Sequence, residues 1–110
     1  MMQQVSRSPD PAICLGSCEP FETVVARTSA SVYELIVLQG DAGDVLVRGG
    51  QKFPEFRRVW FAGATAGGHT TLHALKMNTI QMGLRMEFHT ADSIVVTSPV
   101  VEVSRGEFFE

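Results

Sequence analysis

The chain has 110 residues, of which 45% are hydrophobic and 19% are charged, and its formal net charge is -3. This length fits one domain, and the hydrophobic fraction is large enough to build a buried core, which argues against an intrinsically disordered chain. The weak negative charge argues against a protein whose main task is to coat nucleic acid, because such proteins rely on a basic balance for affinity.

Residues 1–20 are predicted to form a flexible N-terminal arm, because they contain three prolines and a glycine among polar side chains. The longest apolar run in this arm, residues 12–15, is too short for the apolar segment of a secretory signal. No stretch of the sequence approaches the length that a membrane-spanning helix needs. We therefore expect a cytoplasmic protein with no membrane partner.

Both cysteines, Cys14 and Cys18, lie in this arm. A reducing compartment would keep them as thiols, and a bridge between them would close only a short loop. Two thiols are also too few for a closed zinc site unless histidines complete the ligand set.

Residues 21–105 are predicted to form a single β domain. Residues 31–38 (SVYELIVL) are rich in β-branched and aromatic side chains, and residues 44–48 (DVLVR) place Val45 and Val47 on one face. The glycine-bearing turn between these two runs predicts a hairpin. Residues 57–62 (RRVWFA) predict a further strand.

The strongest pattern in the sequence is a strict alternation of apolar and polar residues from Ile80 to His89. This period predicts one extended strand, since a helix would scatter the apolar residues around its circumference. The even-numbered residues would face the core, with Gly83 as the place for a bend or bulge. The inward set is Ile80, Met82, Leu84, Met86 and Phe88.

A tight turn is expected after this strand. A three-residue loop at positions 90–92 would place Phe88 opposite Ile94 and Met86 opposite Val96, with Ile94 and Val96 on the core face. The closing segment, residues 83–103, is similar to small bacterial all-β proteins, and that likeness brings no functional residue with it.

The predicted fold class is therefore mostly β, a small antiparallel β-barrel or sandwich of about six to seven strands. Residues 70–77 fit either one short helix or a strand, and residues 106–110 are expected to be a frayed tail. The choice between barrel and sandwich stays open, because it depends on contacts between distant strands.

The leading functional hypothesis is a binding or assembly module that forms a homodimer or a higher oligomer. A domain this small has a limited interior, and the sequence carries an apolar surplus that a partner or a cleft would cover. A variant of this hypothesis is a small-molecule cleft lined by Trp60, Met77, Met82 and Met86, because methionine packs adaptably around ligands. No cofactor is expected, and no nucleophile motif points to an enzyme.

Two alternatives remain open. Residues 48–61 mix cationic and aromatic side chains, as barrels that bind single-stranded nucleic acid do, although the same aromatic residues would serve equally well in a core. The residues of that hypothesis are Lys52, Phe56, Arg57, Arg58 and Trp60. The second alternative is a small metal-dependent or acid-base enzyme that uses His69, His73 and His89, although the histidines would fit a solvated surface as well.

Overall fold

The computed structural model describes residues 11–66 and 76–106, and within these ranges it contains nine β-strands and two short 3-10 helices. The 3-10 helices are Leu15–Ser17 and Gly40–Ala42. The strands are β1 (Ala12–Cys14), β2 (Thr23–Thr28), β3 (Val32–Gln39), β4 (Asp44–Gly49), β5 (Phe53–Thr65), β6 (Lys76–Met77), β7 (Thr79–Gln81), β8 (Arg85–His89) and β9 (Ile94–Arg105). The predicted mostly β fold is confirmed.

Six of the strands close into an antiparallel barrel in the order β4-β3-β2-β9-β8-β5, and a pairing between β5 and β4 completes the ring. The long strand β5 makes this closure possible. Its first half pairs with β4, where Val59 lies opposite Val45, and its second half pairs with β8, where Phe61 lies opposite Phe88. The predicted hairpin of β3 and β4 is also present.

A second, two-stranded sheet joins β1 to β7. Ile13 of β1 and Ile80 of β7 both belong to the same hydrophobic core as the barrel side chains. Leu15, which follows β1, is fully buried. The part of the expected arm that the structure describes, from residue 11 onward, thus packs into the domain, because Ile13 and Leu15 are covered there.

The barrel interior is filled by aliphatic side chains and by a cluster of aromatic rings around Phe88. The ring centroid of Phe88 lies 6.4 Å from Tyr33, 5.5 Å from Phe53 and 5.3 Å from Phe61. Val45 and Val47 are both fully buried, as their alternation predicts. Burial of these side chains is the main stabilising contribution to such a fold.

The prediction of one continuous strand from Ile80 to Phe88 is wrong, although the segment is not helical. The chain turns at Gly83, whose φ is +89°, and the two halves become separate strands. Strand β7 pairs with β1, whereas β8 pairs with β5 and β9. Ile80, Met86 and Phe88 are buried as expected, but Met82 lies in the turn and is 40% exposed.

The predicted register of the next hairpin is also wrong, by one residue. Phe88 lies opposite Val95, and His89 lies opposite Ile94, which is 54% exposed. The turn takes four positions, because the Thr90 N–H donates to the Ser93 carbonyl at 2.9 Å and the Ser93 N–H donates to Thr90 Oγ1 at 3.0 Å. A shift of one residue reverses the face of each side chain, which explains why Ile94 points outward.

Candidate functional site

A surface pocket with a volume of about 430 Å³ lies where β5 passes from its β4 partner to its β8 partner. This volume falls within the range of small-molecule sites, about 300–1,000 Å³. Its lining comes from β5 and β8, from the turn after β3, and from the junction of β6 and β7. The lining side chains used below are Asp41, Trp60, Met77, Asn78, Glu87 and His89.

An irregularity in β5 shapes the floor of the pocket. Phe61 pairs with Phe88 and Gly63 pairs with Glu87, so that Ala62 is an extra residue, as in a β-bulge. Gly63 has a φ of +141°, and a Cβ at this position would lie 2.2 Å from the Lys76 carbonyl oxygen. The glycine thus allows the backbone of β6 to lie directly against β5.

Asn78 holds one wall of the pocket in place. Its backbone N–H donates to the Ala62 carbonyl at 2.9 Å, and its Nδ2 donates to the Gly40 carbonyl at 2.6 Å. Its φ of +59° is a left-handed conformation, which asparagine tolerates better than most residues. Asn78 therefore links β5 to the turn after β3.

Glu87 and His89 form the polar centre of the pocket. They are two positions apart on β8, and the Oε2 atom of Glu87 lies 2.6 Å from the Nε2 atom of His89. The Glu87 side chain is only 2% exposed, whereas that of His89 is 43% exposed. The histidine therefore connects a buried carboxylate to the solvent.

Two buried acceptor atoms in this pocket have no hydrogen-bond partner among the described residues, Oε1 of Glu87 and Oδ1 of Asn78. An unsatisfied buried polar group costs about 1–3 kcal/mol, and more when it is charged, so folded proteins rarely tolerate one without a reason. Both atoms belong to side chains that line the pocket.

The apolar part of the pocket is Trp60 and Met77, which are 55% and 78% exposed. Of the four residues predicted to line an apolar cleft, the structure brings these two together. Met86 is fully buried in the core, and Met82 lies in the turn between β7 and β8, outside the pocket lining.

The predicted nucleic-acid residues all lie on β5 or just before it, and all are exposed: Lys52, Phe56, Arg57, Arg58 and Trp60. Two of their cations face carboxylates. Arg58 donates two hydrogen bonds to Asp44, at 2.9 and 2.7 Å, and Arg57 lies 3.9 Å from Asp92. The hydrogen bonds from Arg58 lower the pKa of the Asp44 carboxyl. These pairings reduce the positive charge that the surface would offer to phosphates.

The structure describes one of the three histidines of the metal or acid-base hypothesis. His89 is bound to Glu87, whereas His69 and His73 lie outside the described residues. Within the described ranges, no group of three or more histidine, cysteine, aspartate or glutamate side chains is placed to hold a metal ion.

Sequence reasoning missed Glu87 and Asn78 as site residues. Glu87 stands on the polar side of the alternation, where exposure is expected, but it lies opposite Gly63 next to the bulge in β5 and is buried. Asn78 gave one usable signal, since asparagine is enriched at positions with positive φ.

Comparisons of the chain with protein-family models, with curated proteins and with solved structures found no match. None of the described helices has the length and apolar character required to span a membrane. The geometry of the pocket is therefore the basis for any functional assignment.

Proposed function

We propose that this domain is a binding module that takes a small ligand in the pocket between Trp60, Met77 and Glu87. The observation that carries this proposal is that Oε1 of Glu87 has no hydrogen-bond partner among the described residues. The side chain is only 2% exposed and lines an open cavity of about 430 Å³. A ligand that donates a hydrogen bond to this atom would remove a desolvation cost that the free protein carries.

The apolar wall supports the same proposal. Trp60 and Met77 expose more than half of their surface, although large apolar side chains are usually covered in a stable fold. Small-molecule sites combine such walls with a few well-placed polar groups. This pocket has both parts, and the polar group lies at the more buried end.

The chain offers a direct test, because Trp60 is its only tryptophan. A library of small amphipathic fragments would be screened by ligand-observed NMR, and binders would be titrated while the fluorescence of Trp60 is followed. We expect binders to change this emission and to be displaced by one another. A screen that yields no fragment dependent on Trp60 or Met77 would refute the proposal.

Matched variants locate the binding. Met77→Ala removes an exposed methionine of the pocket, and Met82→Ala removes an exposed methionine outside it. On β5, Trp60→Ala and Phe56→Ala form a second pair, measured by calorimetry because the first of them abolishes the fluorescence. We expect the two pocket variants to weaken binding by about tenfold, as loss of ~1.4 kcal/mol of contact would, and the two controls to leave it unchanged.

Self-association is the second candidate function, and one observation favours it. Trp60 pairs with His89 and His89 pairs with Ile94, so that Trp60 and Ile94, 55% and 54% exposed, lie on one outer row of the barrel. Two apolar side chains, Tyr33 and Val37, need no partner chain, because they are buried in the core of the domain. Light scattering at micromolar concentration tests this candidate by measuring the molar mass. A monomeric mass for the unmodified protein, equal to that of the Ile94→Lys variant, would exclude self-association.

A further inference from the structure

The two buried side-chain atoms of the pocket that lack a partner among the described residues are both hydrogen-bond acceptors. Oε1 of Glu87 and Oδ1 of Asn78 have no partner among the described residues. Two donors beside these atoms are engaged, because Nδ2 of Asn78 donates to the Gly40 carbonyl and Nε2 of His89 contacts Glu87. A ligand that satisfies this site must therefore bring donors of its own.

The charge of the pocket points the same way. Among the described residues that line it, Asp41 and Glu87 are acidic, and neither lysine nor arginine is present. His89 adds at most one positive charge, so the sum of formal charges stays negative in either of its protonation states. Because Glu87 is shielded from water, its attraction for a cation is screened less than that of a surface carboxylate.

We propose that the ligand is an organic cation, a primary amine in its ammonium form that carries an apolar body. This inference rests on the proposed function and names its ligand class. The ammonium donates to Oε1 of Glu87 and to Oδ1 of Asn78, and the apolar body packs on Trp60 and Met77. Charge-assisted hydrogen bonds are about twice as strong as neutral ones.

Other ligand classes fit less well. An anion would meet two carboxylates, and the described residues that line the pocket include no lysine or arginine to offset them. A metal ion would need at least three protein ligands, and the described residues do not form such a group. A neutral alcohol offers one donor for the two open acceptors, whereas an ammonium offers three.

The test uses three probes with the same body, namely 2-phenylethylammonium, 2-phenylethanol and phenylacetate, titrated against the full chain by Trp60 fluorescence and by calorimetry. We expect the ammonium to bind at least about tenfold more tightly than the alcohol, as a hydrogen bond to a charged group implies, and phenylacetate to bind most weakly.

Three variants assign this preference to the pocket. Glu87→Gln keeps the shape of the side chain and removes its charge, so we expect the preference for the ammonium to disappear. Asp41→Asn alters an exposed residue at the rim and keeps the test open should the first variant not fold; it should reduce the affinity for the ammonium a few-fold. Glu102→Gln is the matched control, because Glu102 pairs with Arg27 outside the pocket and should have no effect.

The outcomes separate this inference from the proposed function. Equal binding of the ammonium and the alcohol, tighter binding of phenylacetate, or a preference that survives in Glu87→Gln would overturn the cation assignment and leave the pocket intact. If unrelated fragments bind at Trp60 and none of the three probes does, the cation assignment is also wrong, whereas the proposed function stands. Failure of every fragment and every probe would remove the proposed function itself.

Discussion

Replacing Gly63 with alanine is expected to destabilise the domain severely and to deform the pocket. The φ of Gly63 is +141°, and the new Cβ would lie 2.2 Å from the Lys76 carbonyl oxygen and 2.9 Å from the Met77 Cα. A side chain held in so sparsely populated a backbone region costs about 1–3 kcal/mol. The clash is with backbone atoms, so β6 must move away from β5, and we expect a total loss of ~3 kcal/mol or more.

Gly83→Ala is the matched control for this prediction. Its φ of +89° is also positive, yet nothing lies within 4 Å of the position a Cβ would take. This variant should carry only the conformational cost, about 1–2 kcal/mol. The difference between the two variants therefore isolates the contact between β5 and β6.

The assay is urea unfolding monitored by circular dichroism, and thermal unfolding is the second measurement of stability. For a domain of this size, 1 kcal/mol corresponds to a shift in Tm of ~4–8 °C. Because Met77 lies on β6 and lines the pocket with Trp60, the tryptophan emission should change in Gly63→Ala and stay constant in Gly83→Ala. Equal losses of stability in the two variants would refute the reasoning.

Three further predictions concern the core, the surface and the thiols. Phe88→Ala removes the ring at the centre of the aromatic cluster and should cost about 3–5 kcal/mol, whereas Ile94→Ala on the same hairpin should stay within about 0.5 kcal/mol, both measured by urea unfolding. The hydrogen bond from Arg58 lowers the pKa of Asp44 below its ordinary value of 3.8, so Asp44→Asn should reduce stability at neutral pH and lose this effect as the pH falls through the lowered pKa of the folded state. Burial, and then the nearby carboxylate of Glu22, raises the pKa of the Cys18 thiol, so Cys18 should react slowly with iodoacetamide in peptide mass spectrometry.

Each of these predictions has an internal reference. Asp92→Asn removes a carboxylate that is 83% exposed and 3.9 Å from Arg57, and it should change stability little at any pH. The exposed thiol of Cys14 should be alkylated before that of Cys18. The core prediction is contradicted if Ile94→Ala loses as much stability as Phe88→Ala. The prediction for Asp44 is contradicted if the effect of Asp44→Asn does not depend on pH, and the thiol prediction is contradicted if Cys18 is alkylated faster than Cys14.

Within single strands, the sequence was a reliable guide to structure. Val45 and Val47 are two positions apart and are both buried, and Met86 and Phe88 face the core as their spacing predicts. Trp60 and Met77, singled out as ligand contacts, do lie in one pocket. Alternation is a local property of an extended chain, because successive side chains point to opposite faces whatever the strand pairs with.

Features that depend on distant segments were not available from this pattern. The turn at Gly83 exists because β7 and β8 pair with different strands, and the outward position of Ile94 depends on how many residues the turn at 90–93 takes. Glu87 stands on the polar side of its strand and is nevertheless buried, opposite Gly63 and next to the bulge in β5. The sequence by itself determined the mostly β character of the domain and the apolar side of β4 and β8. Tertiary structure decided the strand boundaries, barrel closure, register and the pocket, since these follow from contacts between residues far apart in the chain.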